Sequence, residues 1–228
     1  MMKKYAVMTG LGVLLVASYG VYVSHNTCMG LVKEPVNLGV LKIEVRKYHD
    51  DGSWQKSIEC TVEKAKQILQ NYTPAPGEKP AVVFDIDETS LSNWQNIDAL
   101  DFGYNPAKYK EWENSAQDTA IEPIKELYDV ARAKKFAIFF ISGRREVQRK
   151  FVERNLDKVG FTHWDGVFLK PMDYVGNRAM EHKSKWRAHI KQMGYHIILN
   201  IGDQWSDLEG EPHAIYDMKI ANPAYFIP

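Results

Sequence analysis

The segment Val82-Val83-Phe84-Asp85-Ile86-Asp87-Glu88-Thr89 constrains this chain more than any other, because an uninterrupted apolar run stops abruptly at two carboxylates two residues apart. An apolar run of that length reads as a buried strand. In open α/β sheets ligands bind beyond the carboxyl ends of the strands, so these acids sit where chemistry is expected.

Three more apolar runs follow, Phe136–Ile141, Val167–Leu169 and His196–Ile201, and each ends in polar residues. Between them, Glu122–Ala133 and Glu146–Asp157 carry helical periodicity, and Glu181–Gln192 is a more polar helix closed by Gly194. This alternation predicts an α/β fold, a Rossmann-like, mainly parallel sheet with flanking helices. Upstream, residues 36–73 form an N-terminal helical extension. Val40, Ile43 and Val45 begin its apolar pattern, and Cys60, Val62, Ala65, Ile68 and Leu69 continue it as packing scaffold. A breaker-rich linker with Pro74, Pro76, Gly77 and Pro80 leads into the first strand. Residues 91–120 interrupt the alternation directly after the carboxylate pair. They hold Trp94, Phe102, Tyr104, Tyr109 and Trp112, and a small helical, aromatic cap over a pocket is expected there, setting the choice of substrate.

With 228 residues and 45% hydrophobic content the chain can bury one sizeable core, and its 29 basic and 29 acidic residues cancel. No electrostatic attraction to a nucleic acid polymer follows, so any anionic ligand must be captured locally. Met1-Met2-Lys3-Lys4 and the uncharged run Tyr5–Val23 have the layout of a signal peptide or signal anchor over residues 1–23. Export to a periplasmic or secreted location is expected, with a membrane tether through the N-terminus as the variant in which the signal is retained. Cys28 lacks the small, apolar residues that precede a lipid-attachment site. With Cys60 it is compatible with one disulfide or with two unpaired thiols.

Four strand ends, or the loops beside them, supply different chemistry. Asp85 and Asp87 follow the first run, and Ser142-Gly143-Arg144 the second. Lys183 and Ser184 open the polar helix, and Gly202-Asp203-Gln204-Trp205-Ser206-Asp207 follows the last run. Acids brought this close need a cation, and an all-oxygen set suits Mg²⁺. A lysine and a serine beside the metal suit an anionic substrate group, and the inventory describes phosphoryl transfer to a carboxylate. Taken singly, each feature has a plainer reading: a helix cap for the acid pair, a turn for Ser142-Gly143, a solvated residue for Lys183, a bend for Gly202-Asp203. Arg144 and Arg145 read as a surface pair, and His182 as incidental.

Together and in this order, Asp85-Ile86-Asp87-Glu88-Thr89, Ser142, Lys183 and Gly202-Asp203 with Asp207 resemble the four motifs of the haloacid dehalogenase (HAD) superfamily. Asp85 to Asn93, Lys183-Ser184-Lys185-Trp186-Arg187 and the segment Gly202 to Leu208 resemble its secreted acid phosphatase branch. That branch, subfamily IIIB, holds the class B and C acid phosphatases and plant vegetative storage proteins, and the resemblance runs from Val36 to the C-terminus. It implies an exported, Mg²⁺-dependent acid phosphatase acting on small phosphomonoesters. Asp85 would be the nucleophile that forms an aspartyl-phosphate, and Asp87 the general acid and base. Thr89, Ser142, Gly143 and Lys183 would serve the phosphoryl group. Asp203, with Asp85 and the backbone carbonyl of Asp87, would hold Mg²⁺, and Asp207 would position Lys183 or a metal-bound water. A homo-oligomer is compatible with the resemblance. Two alternatives stand beside hydrolysis: a non-catalytic storage or binding protein, against which the presence of Asp85 counts, and phosphotransfer to an alcohol through the same intermediate.

Overall fold

The computed structural model describes residues 35–176 and 178–228, together with the backbone of Val16–Ala17 and Gly20–Val21. Apart from those four positions, the signal expected over residues 1–23 lies outside the described residues, as does Cys28; Cys60 is exposed on a helix. The chain divides into two compact units, residues 1–40 and 41–228. In the first, β1 (Val16–Ala17) and β2 (Gly20–Val21) pair antiparallel.

The expected helical extension is two helices, α1 (Leu38–Asp50) and α2 (Ser53–Asn71). Gly52 between them takes φ +78°, a conformation that glycine adopts without penalty, and the Asp51 carboxylate accepts from the Ser53 amide at 2.9 Å to start the second helix. The apolar packing expected along α1 is not found: Ile43 is 66% exposed, and no α1 side chain is buried. Polar contacts fasten α1 instead. Arg46 pairs with Asp98 at 2.5 Å and Asp101 at 2.8 Å, and the His49 ring stacks 3.8 Å from that of Trp94. By contrast, α2 presents Ile58, Val62, Ala65 and Leu69 at helical spacing, all buried, and packs on α5 (Glu122–Ala133).

The central sheet is fully parallel. Its strands β3 (Pro80–Phe84), β6 (Ala137–Arg145), β7 (Gly166–Lys170), β8 (His196–Gly202) and β9 (Tyr216–Lys219) lie in the order β7-β6-β3-β8-β9. Both faces are covered, which is why the strands read as continuous apolar runs. Val82, Phe84, Ile138 and Phe140 pack toward α2, α5 and α6 (Arg149–Lys158); Ala81, Val83, Phe139 and Ile141 pack toward α7 (Ala179–Gln192). The chain builds outward from β3 through β6 to β7, then returns to the other side of β3 for β8 and β9, so the reversal of strand order falls beside β3. The insertion begins and ends in a two-residue antiparallel ladder, β4 (Leu91–Ser92) with β5 (Thr119–Ala120), and carries α3 (Trp94–Ala99) and α4 (Pro106–Ser115) between them.

Glu78 ties the entry of β3 to its neighbours. It accepts from the Tyr72 hydroxyl at 2.5 Å and the Ala75 amide at 2.8 Å, and it pairs with His196. Those three contacts hold its carboxyl down at about 2, from an ordinary 4.5. A value depressed in the folded state adds stability above the unfolded value, and that stability is lost as pH falls through the folded one. Glu78→Gln is therefore expected to lower the thermal midpoint at pH 7 and to lower it less at pH 3, followed by circular dichroism. An equal loss at both pH values would contradict the assignment.

Candidate active site

The amide of Asp85 donates to the Ile201 carbonyl at 3.0 Å, which carries the β3–β8 pairing one residue further and brings Asp85 alongside Gly202-Asp203. Both carboxylates are buried. Lys183, on the first turns of α7, reaches between the strand ends. Its ammonium pairs with Asp85, pairs with Asp207 at 2.9 Å and donates to the Ile141 carbonyl at 2.8 Å, so all three of its donors are engaged. Asp207 lies in the short helix α8 (Trp205–Leu208), and its other oxygen accepts from the Gln204 amide at 2.9 Å. A Cβ on Gly202 would stand 2.5 Å from the Asp207 side chain, so this close approach needs glycine. Arg187, fully buried, donates to the Asp207 carbonyl at 2.7 Å and also to the carbonyls of Glu209, Gly210 and Pro212, fixing the loop that presents Asp207.

Carboxylate oxygens of Asp85, Asp203 and Asp207 lie within 4.8 Å of one another, and among the described residues Lys183 is the one cation that forms an ion pair with them. Burial, then Asp207, pushes the Asp85 carboxyl well up despite Lys183; the same causes lift Asp203 to about 6. The cluster is short of positive charge, and its donors are all oxygen, so it fits a hard divalent cation. Among the described residues no donor meets the Asp87 carbonyl, which leaves that oxygen available to the same cation.

The Asp87 side chain turns elsewhere. Its Oδ1 accepts from Arg144 at 2.9 and 2.7 Å and from the Asn93 amide at 2.8 Å, while Ser142 Oγ donates to Oδ2 at 3.2 Å. Arg144 also donates to Asp118 Oδ2 at 2.7 Å, and Asp118 is held in turn by Trp112 Nε1 and Asn155. Burial raises the Asp87 carboxyl, but Arg144 and Asn93 outweigh it and the net direction is down. Arg144 is thus no surface residue: it is 4% exposed, and only Arg145 is exposed. The signal for this was the period of the strand, since β6 runs on through Arg145 and places Ser142 and Arg144 on one side, Gly143 and Arg145 on the other. One Arg144 nitrogen, Nη1, is buried without a partner.

These groups open into a cavity of about 720 Å³ lined by Asp85, Asp87, Lys183, Asp203 and Asp207, with Tyr104 and Tyr109 from the insertion and Tyr225 near the C-terminus. Gly143 lines it too, though a Cβ there would meet open space. Thr89 and Ser142 are buried beside the site rather than in the lining. Thr89 Oγ1 donates to Asp203 at 3.1 Å, and Ser142 Oγ accepts from the Arg144 amide at 3.0 Å. His182 is also buried, 3.0 Å from the Ser142 carbonyl, whereas Lys185 is exposed. Gln204 and Asn222 donate to Asp203 Oδ2, each at 2.7 Å; Asn222 sits in a stretch with no motif to mark it.

A parallel sheet that buries three carboxylates against one lysine at its carboxyl edge, beneath a helical insertion, defines an α/β phosphoryl-transfer class. A family model described as HAD superfamily, subfamily IIIB (acid phosphatase), matches residues 36–228. Acid phosphatase 1 of Solanum lycopersicum is 27% identical over 80% of this chain and 73% of its own. The stem 31 kDa glycoprotein of Glycine max is 34% identical over 64% of this chain and 59% of its own, and vegetative storage protein 1 of Arabidopsis thaliana 32% over 64% and 55%. This chain thus spans less than two thirds of the last two. In fold it is similar to the class C acid phosphatase from Bacillus anthracis, at a TM-score of 0.68 and 21% identity over 82% of this chain and 85% of that one. The chain belongs to subfamily IIIB of the HAD superfamily, the acid phosphatases, a class of phosphomonoesterases.

Removing one member of a buried ion pair leaves an uncompensated charge and costs about 3–5 kcal/mol. Arg144→Ala and Asp118→Ala are each expected to lose stability on that order in chemical denaturation, and the double variant markedly less than the two losses summed. Additivity within about 0.5 kcal/mol, the behaviour of independent sites, would contradict the coupling.

Proposed function

We propose that the protein is an exported, Mg²⁺-dependent phosphomonoesterase that hydrolyses small organic phosphates through an aspartyl-phosphate on Asp85. The observation that carries this reading is the opposite company of the two acids: Asp85 is held by Lys183 inside the electron-rich cluster, and Asp87 by Arg144 beside it. A nucleophile and a proton carrier need that independence. The expectation of export rests on the basic start and the uncharged run Tyr5–Val23 alone; among the described residues no helix is long and apolar enough to cross a membrane.

In the first step an Asp85 oxygen forms a bond to phosphorus, the bond from phosphorus to the alcohol oxygen breaks, and Asp87 gives that oxygen a proton. In the second, water attacks phosphorus, the acyl-phosphate bond breaks and restores the Asp85 carboxylate, and Asp87 takes the proton from water. Lys183 offsets the charge that the phosphoryl group brings to Asp85. The arginine contact favours ionised Asp87, the form needed in the second step. For the first step the dianionic phosphoryl group competes electrostatically for Arg144, which lines the same cavity, and this loosens the hold on Asp87. Mg²⁺ held by Asp85, Asp203 and the Asp87 carbonyl would neutralise the carboxylate cluster and polarise the phosphoryl group. Asp207, with both oxygens engaged by Lys183 and Gln204, positions the lysine.

The signal-free protein is expected to turn over p-nitrophenyl phosphate with Mg²⁺ and to lose the activity to a chelator. Asp85→Asn should lower kcat by at least about a thousandfold, the scale of losing a nucleophile. Saturating Mg²⁺ should also raise the thermal midpoint by several degrees in the wild type and in Asp87→Asn, but not in Asp203→Asn. A folded wild type without turnover would favour the storage or binding alternative.

A further inference from the structure

Past the catalytic groups, the ends of β6 and β7 set two cations side by side. Arg145 and Lys170 are register partners in the parallel ladder, so their backbones lie about 4.8 Å apart. Both line the cavity that holds Asp85 and Lys183. Among the described residues neither forms an ion pair, although Arg149, four residues after Arg145, is paired with both Glu146 and Glu153. The Lys170 ammonium lies over a π face, the Tyr174 ring at 5.5 Å. Lys110 of α4 also lines the cavity.

Two cations at neighbouring strand ends repel one another, and an anion between them relieves that repulsion. Lys170 is half-buried, and its ammonium is disfavoured by that burial and then by Arg145 and Lys183. Lys183 cannot be the group that answers a second anion, since its three donors are already engaged. Nor is it Arg144, which also lines the cavity but is committed to Asp87 and Asp118 beside the reacting phosphoryl group. A guanidinium fork beside an ammonium matches a phosphate, which offers several acceptor oxygens and two charges.

We propose that Arg145 and Lys170 form a second anion subsite, and that the preferred substrates are phosphomonoesters whose alcohol carries a further phosphate. This rests on the phosphatase reading of the site and deepens it. The reacting phosphoryl lies at Asp85 and Lys183, and the second phosphate is held at the ends of β6 and β7 inside the same cavity.

The test compares adenosine 3′,5′-bisphosphate with adenosine 5′-monophosphate, which share a base and a 5′-phosphate. Wild-type kcat/KM is expected to favour the bisphosphate by at least about tenfold, the worth of one charge-assisted hydrogen bond. Lys170→Met and Arg145→Gln should each remove most of that preference, chiefly through KM, while Lys170→Arg retains it. No preference in the wild type overturns the subsite. So does an equal loss for both substrates in the variants, which would mean general attraction of phosphate rather than recognition. If neither ester nor p-nitrophenyl phosphate is turned over, the phosphatase reading fails separately, and the subsite is then read by titration calorimetry on Asp85→Asn. Tighter binding of the bisphosphate that depends on Lys170 keeps it; equal affinities remove it.

Discussion

The structure turns on one buried ammonium. Lys183 stands between Asp85 and Asp207 with the Ile141 carbonyl as its third acceptor, and among the described residues it is the one cation paired within a cluster of three carboxylates. Burying charge is expensive unless it is paired, so the surrounding fold has to deliver every partner accurately. It does so from five separate segments, β6 supplying the Ile141 carbonyl. The ends of β3 and β8 lie side by side in a parallel ladder, α7 carries the lysine across the same edge, and α8 follows a glycine that no larger residue could replace without meeting Asp207. One lysine does not balance three acids, and that deficit is what suits the site to the proposed divalent cation.

A second charged centre lies beside the first. Arg144 joins Asp87 to Asp118, and Asp118 is gripped by Trp112 of the insertion and Asn155 of α6. The proposed proton carrier is therefore bonded through one guanidinium to the element that lines the outer cavity. An ester that presses on Tyr109 touches the same helix that supports Asp118 through Trp112, so leaving-group fit and the setting of Asp87 share a physical connection.

Much of this was legible in the sequence because parallel strands covered on both faces must be apolar throughout, and β3, β6 and β8 stand out as such runs. Asp85, Lys183, Asp203 and Asp207 could be gathered because each lies at or next to the carboxyl end of a run or at the start of a helix. The edge strand β9, Tyr-Asp-Met-Lys, left no such mark, since half of its residues are polar. The expectation that α1 packs through its apolar residues failed because apolar spacing alone does not say what lies opposite: ion pairs to Asp98 and Asp101 fasten that helix instead. Arg144 was misread for a related reason. A charged residue after a strand is usually solvated, and here only the continued period of β6 turns it inward, toward an acid 57 positions away and another 26 positions away in the chain.

The most direct test of the account is chemical capture of the acyl-phosphate. Turnover is stopped with acid, the protein is reduced with borohydride, and the peptides that contain Asp85, Asp87 and Asp203 are sequenced by mass spectrometry. The account predicts homoserine at Asp85 and unmodified aspartate at Asp87 and Asp203. Active enzyme that yields homoserine at either of those positions, or at none, would contradict the assignment of Asp85 as the nucleophile.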